Sequence, residues 1–157
     1  MDFEFSADQK LLQESIRTRV EAELIPIYTE RSKQGGTEAT LFIGHKLAEW
    51  GLLGYGVPEE LGGQGIDLSR TEFGIVGEEL GRGANSWAIT WASYYNWSKM
   101  LANSAPDAIR DKYLPRMLTG DIFIPALFTE PHGGSDLADV RVTAFPDGDE
   151  LIVNGSK

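Results

Sequence analysis

The chain has 157 residues, 41% of them hydrophobic, and its 14 basic and 24 acidic side chains give a formal net charge of −10. This length suffices for an ordinary folded domain, and the negative charge disfavours nucleic acid and anionic lipid as partners, because both would repel it. The sequence has no cysteine and two histidines, which excludes a disulfide framework, a thiolate nucleophile and a Cys- or His-rich metal site within this chain.

The first predicted element is a long amphipathic helix. Ser6 and Gln9 stand at the N-cap and N3 positions of a capping box, and apolar residues then recur at every fourth position from Leu12 to Leu24. This pattern predicts a helix over residues 7–25. We expect it to end near Pro26, because proline cannot continue the backbone hydrogen-bond ladder.

A polar segment, residues 29–40, comes next, and Gly35-Gly36 within it predicts a loop. A second helix should then end at Gly51. Its apolar positions are Leu41, Ile43, Leu47 and Trp50. Residues 52–68 contain five glycines and one proline without a sustained period, which predicts a structured loop rather than a helix or strand.

A second capping box starts the helix after this loop. Ser69 and Glu72 occupy the N-cap and N3 positions, and Leu68 and Phe73 form a hydrophobic staple across the same helix start. We predict that this helix runs to Gly81. Another helix, rich in aromatic residues, should cover residues 86–103.

The last predicted helix starts at Ser104 and Pro106 and is interrupted at Pro115. Its expected buried positions are Ile109, Tyr113 and Leu114. Gly120 then ends the helical part of the chain. We therefore predict a mainly α chain whose helical domain covers residues 1–120.

From residue 121 onward the pattern changes to short apolar runs typical of strands. The run IFIPALF and the stretches 140–145 and 151–153 predict strands, with a turn at residues 147–149. Asn154-Gly155 is a strong hairpin signal that should be followed by a returning strand, and the sequence ends two residues later. We therefore expect residues 121–157 to be the incomplete start of a β-domain.

The most specific segment for chemistry is ALFTEPHGGSD, residues 126–136. Thr129 ends an apolar run, and Gly133-Gly134 allows backbone amides to approach a ligand closely. Ser135 adds a second hydroxyl beside those amides. Such neutral groups suit the carbonyls of a flat heterocycle or a phosphate oxygen. From composition alone, a plain strand-to-loop turn is the simpler alternative.

The stretch TEPHGGSD, residues 129–136, resembles the signature of the acyl-CoA dehydrogenase family. Other segments match the family in the same order: FSADQKLLQESIR, GLLGYGVPEELGGQG, EELGR, KYLPRMLTGD and DGDELIVNGSK. Members of this family have an N-terminal helical domain, a middle β-domain and a C-terminal helical bundle, and they use FAD to remove hydrogens from the α and β carbons of an acyl-CoA thioester. The resemblance implies the family's orthogonal helical domain followed by the first strands of a truncated β-domain.

The resemblance also implies roles for five residues of the signature. Ala126, Phe128 and Thr129 would face the flavin, and a hydrogen bond from Thr129 would stabilise negative charge on the reduced ring. Gly134 and Ser135 would contact FAD and the CoA thioester. Phe128 stands where many members carry an aliphatic residue, so the packing against the flavin would differ there.

No residue of this chain is predicted to act as a catalyst, because the family's base is a glutamate of the C-terminal bundle. Glu130 belongs to the signature turn and is interpreted as structural. The other excess acid, including Glu59-Glu60 and Glu78-Glu79, is interpreted as solvated surface rather than as a metal site. We expect weak or no FAD binding and no turnover by this chain alone.

One face of the aromatic helix carries Ala88, Trp91 and Tyr95 at i, i+3 and i+7. The resemblance implies that this helix lines the acyl pocket, where two bulky side chains would favour short, branched or cyclic acyl groups over long straight ones. The alternative is that these aromatic side chains simply pack in the core.

The resemblance implies an acyl-CoA substrate, an electron-transfer flavoprotein or similar electron acceptor, and a homo-oligomer for the full-length protein. Acyl-CoA oxidases and nitroalkane oxidases share the fold and stay open as alternatives, as does a helical interaction module without catalysis. The sequence shows no run of roughly 20 apolar residues and no signal peptide pattern, so we expect a soluble cytoplasmic protein without a membrane span.

Overall fold

The computed structural model describes residues 4–31 and 36–157, and the chain divides into a helical unit, Met1–Ile124, and a smaller unit, Pro125–Lys157. In chain order the helical unit contains α1 (Ala7–Arg19), α2 (Ile25–Arg31), α3 (Gly36–Glu49), α4 (Arg70–Gly83), α5 (Asn85–Ser104) and α6 (Asp107–Leu118). Among the described residues, no helix combines the length and apolar character needed to cross a membrane.

Both predicted capping boxes are confirmed. The Ser6 amide donates to Gln9 Oε1 at 3.0 Å, and the Gln9 amide donates to Ser6 Oγ at 3.2 Å. At the start of α4, the Ser69 amide donates to Glu72 Oε2 at 2.8 Å and the Glu72 amide donates to Ser69 Oγ at 3.2 Å. Each box provides partners for amides that have no intrahelical acceptor.

The predicted end of the first helix at Pro26 is wrong. A π-helical turn, Val20–Leu24, follows α1 directly and leads into α2, which contains Pro26 near its start. The wider turn, in which the Ile25 amide donates to the Val20 carbonyl, accommodates the proline ring and its missing donor. Val20 and Leu24 at the two ends of this π-helical turn are buried completely, so the turn itself contributes two core side chains.

The polar segment 29–40 is more helical than predicted. Helix α2 extends to Arg31 and α3 already starts at Gly36, while Gly35 lies outside the described residues. The first residues of α3 face solvent, so their polar side chains do not oppose a helix whose other positions reach the core.

Glycine ends α3 as predicted, and residues 52–68 form a loop with its own hydrogen bonds. Gly51 has a φ of +74°, and the Leu52 amide donates to the Leu47 carbonyl at 2.9 Å, which is the pattern of a glycine-capped helix end. Within the loop, the Gln64 amide donates to the Gly54 carbonyl at 2.9 Å. A short 3-10 turn covers Glu59–Leu61.

The core of the helical unit forms around α4 and α5, which pack against each other. Helix α4 also packs on α1, and α5 also contacts α3 and α6. The largest side chains with almost no exposure are those of Trp91 and Tyr94 on α5. Helix α5 therefore presents its predicted aromatic side chains to the centre of this unit.

Glu79 is buried, which contradicts its interpretation as solvated surface. Its carboxylate accepts hydrogen bonds from Arg17 Nε at 3.0 Å and Arg17 Nη2 at 2.5 Å. The Arg17 hydrogen bonds hold the pKa of Glu79 below its ordinary value, against the opposing effect of burial. The preceding Glu78 is exposed, so two neighbouring acids in the sequence have different environments.

Helix α6 continues through Pro115 to Leu118 and is not interrupted there. Proline removes the donor that would reach the carbonyl of Asp111, and since both residues are exposed, water can satisfy that carbonyl. Continuing the helix buries Met117 completely. Leu114 is buried as predicted, whereas the prediction for Ile109 is wrong, because its side chain is 44% exposed.

Tyr94 reaches the contact between α3 and the end of α6. Its hydroxyl lies against Gly44, where an added Cβ would overlap it, and the carbonyl of Gly120 lies 3.0 Å from that Cβ position. Among the described residues, the buried Tyr94 hydroxyl has no hydrogen-bond partner. Burial and the nearby Asp121 charge together raise the pKa of Tyr94 to about 12.

We expect Tyr94→Phe to raise the free energy of unfolding by about 1 kcal/mol, because an unpartnered buried hydroxyl costs desolvation energy that phenylalanine avoids. Urea unfolding followed by circular dichroism measures the change. The neighbouring Tyr95→Phe is the matched control. The Tyr95 hydroxyl donates a hydrogen bond to Asp67, so removing this hydroxyl should lower the free energy of unfolding. A loss of stability in both variants would mean that the Tyr94 hydroxyl has a partner.

The smaller unit contains an antiparallel hairpin of β1 (Thr143–Asp147) and β2 (Glu150–Asn154). Phe145 pairs with Ile152, and Asp147 pairs with Glu150 across a two-residue loop. Gly148 has a φ of +60°, the conformation that a tight hairpin requires at its first loop position. The predicted turn at residues 147–149 is therefore confirmed, and the predicted strand after Asn154-Gly155 stays a prediction.

The predicted strand in IFIPALF is not formed. Residues 122–128 belong to neither a helix nor a strand, and the sheet of the described residues consists of β1 and β2. Ile122, Phe123 and Ile124 instead pack against the helical core. These three apolar residues thus complete the first unit before the second begins at Pro125.

Candidate functional site

A tight turn at Glu130 organises the predicted signature, residues 126–136. The Glu130 amide donates to the Gly133 carbonyl at 2.9 Å, and the Gly133 amide donates to the Glu130 carbonyl at 3.0 Å. These reciprocal bonds form an isolated antiparallel bridge. The turn therefore reverses the chain directly after Thr129.

This reversal brings together Thr129 and Gly134, two of the five predicted cofactor-binding residues. A Cβ added at Gly134 would lie 3.1 Å from Thr129 Oγ1 and 3.3 Å from Thr129 Cγ2. Glycine thus lets the turn approach the threonine side chain closely. Thr129 itself remains exposed, so the contact does not cover its hydroxyl.

The other three predicted cofactor-binding residues lie on either side of this contact. Ala126 is half-buried, whereas Phe128 and Ser135 are exposed. The structure thus presents the aromatic ring of Phe128 and the hydroxyl of Ser135 at the surface of the smaller unit.

Glu130 holds the turn to two other segments of the smaller unit. Its carboxylate accepts hydrogen bonds from the amides of Arg141 at 2.8 Å and Val142 at 3.1 Å, and Lys157 Nζ lies 2.9 Å from its Oε1. The Lys157 ammonium and the two amides lower the pKa of Glu130 to about 2. A carboxylate so well stabilised is a poor proton acceptor, which agrees with its interpretation as structural.

His132 makes two further contacts near the turn. Its Nε2 lies 2.8 Å from the backbone carbonyl of Asp139, and its Nδ1 lies 3.7 Å from Glu130 Oε2. Asp136 caps the short 3-10 turn Leu137–Asp139 by accepting a hydrogen bond from the Ala138 amide at 3.0 Å. These contacts order the residues after the two glycines.

In the helical unit, Trp91 and Tyr95 on α5 pack with Phe73 of α4. The ring centroid of Phe73 lies 4.7 Å from that of Trp91 and 5.1 Å from that of Tyr95. Trp91 is fully buried, and Ala88 on the same face is half-buried. Core packing therefore accounts for the Trp91 side chain within this chain.

The polar atoms of these two aromatic residues bind opposite ends of loop 52–68. Trp91 Nε1 donates to the Leu52 carbonyl at 3.1 Å, and the Tyr95 hydroxyl donates to Asp67 Oδ1 at 2.5 Å. Lys99, one helical turn beyond Tyr95, donates to Asp67 Oδ2. Burial and the Asp67 hydrogen bond raise the pKa of Tyr95 to about 12.

Sequence reasoning missed Asp67 and Lys99. Lys99 follows Tyr95 by four residues, the spacing of neighbours on one helix face, but nothing in the sequence relates either to Asp67, which lies 28 positions before Tyr95. Their pairing depends on the path of the glycine-rich loop.

Two surface cavities adjoin this region. One, of about 260 Å³, is lined by Leu68, Arg70, Phe73, Tyr95 and Asn96. A second one, of about 480 Å³, lies between the loop and the end of α5, with Asp67 and Lys99 in its wall. Of the three residues predicted to bind substrate on α5, Tyr95 reaches the smaller cavity, while Ala88 and Trp91 do not line it.

Comparison with known proteins identifies relatives for nearly the whole chain. Residues 6–121 match the model of "Acyl-CoA dehydrogenase, N-terminal domain". The chain is 39% identical over 111 residues to (2S)-methylsuccinyl-CoA dehydrogenase of Cereibacter sphaeroides, covering 71% of this chain and 20% of that protein. It spans between 20% and 40% of the length of the curated relatives that it matches.

Solved structures give the same result. Glutaryl-CoA dehydrogenase from Mycobacterium smegmatis superposes with a TM-score of 0.80 at 25% identity, covering 96% of this chain and 38% of that one. An acyl-CoA dehydrogenase from Bacillus anthracis, solved in complex with FAD, superposes with a TM-score of 0.77 at 25% identity, covering 97% of this chain and 26% of that one. The predicted fold class, a helical domain followed by the start of a β-domain, is thus confirmed.

Proposed function

The chain belongs to the acyl-CoA dehydrogenase family, and from that premise we propose that it forms part of a flavin-dependent oxidoreductase that introduces an α,β double bond into an acyl-CoA thioester. The observation that carries this proposal is the contact between Thr129 and Gly134 beside an exposed threonine hydroxyl. It presents a neutral hydrogen-bonding group on a turn fixed by Glu130.

The residues present fit a flavin. A Cβ at Gly134 would fill the space beside Thr129, and the exposed hydroxyls of Thr129 and Ser135 can bond ring carbonyls without a positive site. FAD, when bound, supplies the acceptor for the hydride that leaves the β carbon. Ala126, Phe128 and Thr129 would face the ring, and Gly134 and Ser135 would contact FAD and the thioester.

In this proposal, Thr129 stabilises negative charge that develops on the flavin by donating a hydrogen bond from its side chain or backbone. None of the residues named here acts as the base that removes the α proton. We propose that this base lies outside the chain, and that the chain alone binds FAD weakly or not at all and has no turnover. An electron-transfer flavoprotein is the proposed electron acceptor, and the longer protein is proposed to be a homo-oligomer.

The aromatic face of α5 leads to a proposal for substrate size. Tyr95 lines the cavity of about 260 Å³ and is held by Asp67, so its ring cannot easily move away from a long acyl chain. With Ala88 and Trp91 on the same face, we propose a pocket that favours short, branched or cyclic acyl groups. The alternative, that these residues serve only the core, is favoured for Trp91 by its complete burial.

The test uses a longer protein that carries this chain, loaded with FAD and assayed with acyl-CoA thioesters of increasing length. We expect Thr129→Val to lower kcat by roughly 10- to 100-fold, because it removes one hydrogen-bonding group at the developing charge. Thr71→Val, on the exposed face of α4, is the control. The ratio of kcat/KM between branched or cyclic and long straight substrates measures acyl preference.

Three results would contradict the proposal in different ways. Absence of bound flavin in the longer protein would favour the helical interaction module. Rapid reoxidation of the reduced flavin by oxygen would favour an oxidase. A preference for long straight acyl groups would reject the proposed role of Tyr95 while leaving the reaction class intact.

A further inference from the structure

Lys157 contacts both neighbours of Thr129. Its Nζ donates a hydrogen bond to the backbone carbonyl of Phe128 at 3.0 Å and lies 2.9 Å from Glu130 Oε1. Although lysine side chains usually extend into solvent, this one is only 20% exposed. One ammonium group thus bonds the residues directly before and after the threonine.

These contacts act on different atoms from those that Gly134 contacts. The glycine lies against the side chain of Thr129, while Lys157 bonds the adjoining backbone and the Glu130 carboxylate. The bridge between Glu130 and Gly133 closes the turn between them. Three independent contacts therefore restrict the backbone on which the threonine hydroxyl is carried.

We propose that Lys157 is a positioning residue for the flavin-facing segment, Phe128 and Thr129, and that it acts by joining the Phe128 carbonyl to the Glu130 carboxylate. This inference rests on the proposed function and extends it to a residue 28 positions beyond Thr129. Lys157 touches neither flavin nor substrate in this role. It sets the orientation of the groups that do.

The charged groups around Glu130 show which cation pairs with it. His132, Asp139 and Arg141 surround the turn, and Arg141 pairs with Asp139 through both Nε at 3.2 Å and Nη2 at 3.0 Å. The Arg141 guanidinium is therefore engaged with another carboxylate. Among the lysines and arginines that the structure describes, Lys157 is the one whose side chain pairs with Glu130, and the nearest ring nitrogen of His132 lies 3.7 Å from Glu130 Oε2.

The first half of the test does not depend on flavin. In the 157-residue chain, carbon NMR of the side-chain carboxyl groups measures the titration of Glu130. Lys157→Met keeps the alkyl chain but removes the charge and the donors, so the pKa of Glu130 should rise from about 2 toward its ordinary value. Lys157→Arg should keep most of the decrease in the Glu130 pKa. Lys10→Met alters an exposed lysine distant in sequence from Glu130 and should leave that pKa unchanged.

The second half uses the longer flavin-loaded protein. We expect Lys157→Met to weaken FAD binding by roughly tenfold, equivalent to the loss of one hydrogen bond to a charged group, and to shift the visible flavin spectrum. Lys157→Arg should restore part of both. In turnover, Lys157→Met should lower kcat more than it raises KM, because the change acts on flavin-facing groups.

The outcomes separate this inference from the proposed function. If the Glu130 titration does not change in Lys157→Met, the contact has no energetic role and the inference fails. If that titration changes while flavin affinity and spectrum stay those of the unmodified protein, the inference fails and the proposed function stands. If the unmodified longer protein binds no flavin, both fail together.

Discussion

Gly120→Ala should lower the free energy of unfolding by about 3 kcal/mol or more. Gly120 has a φ of +79°, a conformation that costs alanine energy. An added Cβ would also overlap the backbone of Gly44 and lie 2.5 Å from the His45 amide nitrogen. Because these neighbours are backbone atoms of α3, no side-chain rotation relieves the overlap.

The measurement is urea unfolding, with soluble yield and near-ultraviolet circular dichroism as second readouts if the variant does not fold. Gly74→Ala is the matched control. Gly74 lies on the exposed face of α4, and no atom of the described residues lies within 4 Å of its Cβ position, its own helix backbone aside. Alanine should therefore stabilise α4 by about 0.5 to 1 kcal/mol. Equal effects in the two variants would contradict the close approach of Gly120 to α3.

Arg17→Met should lower Tm by roughly 10 °C, because it leaves the Glu79 carboxylate buried without its cation. Methionine keeps the apolar stem of the arginine, so the loss reports the charge rather than packing. Glu79→Gln should cost much less. The Arg17 side chain is 44% exposed, so water can solvate the guanidinium when its partner is neutral, whereas the buried carboxylate has no such access.

The contribution of Glu79 to stability should change with pH in opposite directions in the unmodified chain and in Arg17→Met. In the unmodified chain the pKa of Glu79 is lowered below its ordinary value of 4.5, so the pair stabilises above that pH, and the stabilisation is lost as pH falls through the lowered pKa. In Arg17→Met, burial raises the pKa of Glu79, so the variant loses stability as pH rises.

Thermal unfolding of the unmodified chain and of Arg17→Met between pH 3 and 7 measures this difference in pH dependence. The gap in Tm should be largest near pH 7 and should shrink toward acid pH. The double variant Arg17→Met with Glu79→Gln should recover most of the loss. A constant gap across this range would show that the guanidinium contributes through packing alone.

Local sequence signals predicted the starts of α1 and α4 well. Ser6 with Gln9 and Ser69 with Glu72 form their capping boxes within four residues of chain, so the sequence contains both partners of each bond. The same holds for Gly51, Gly120 and Gly148, whose positive φ angles end helices or close the hairpin. Contacts between neighbours in the chain need no knowledge of the rest of the fold.

The sequence predicted poorly where burial competed with local preference. Pro26 and Pro115 both lie within continuous helical segments. A π-helical turn precedes Pro26, and a helix that stopped at Pro115 would leave out Met117, which the core buries completely. Glu78 and Glu79 are adjacent residues of the same type. Only Glu79 is buried, and there it pairs with Arg17 of α1. None of these outcomes depends on a pattern within a single window of sequence.

The candidate site divides in the same way. The order of its motifs is enough to identify the family, since TEPHGGSD and the segments around it are fixed by the sequence itself. The tertiary structure alone brings Gly134 against Thr129, Lys157 to both neighbours of that threonine, and Asp67 to Tyr95. Each of these contacts joins residues through a turn, a hairpin or a loop whose path depends on hydrogen bonds and packing, and sequence separation does not encode such distances.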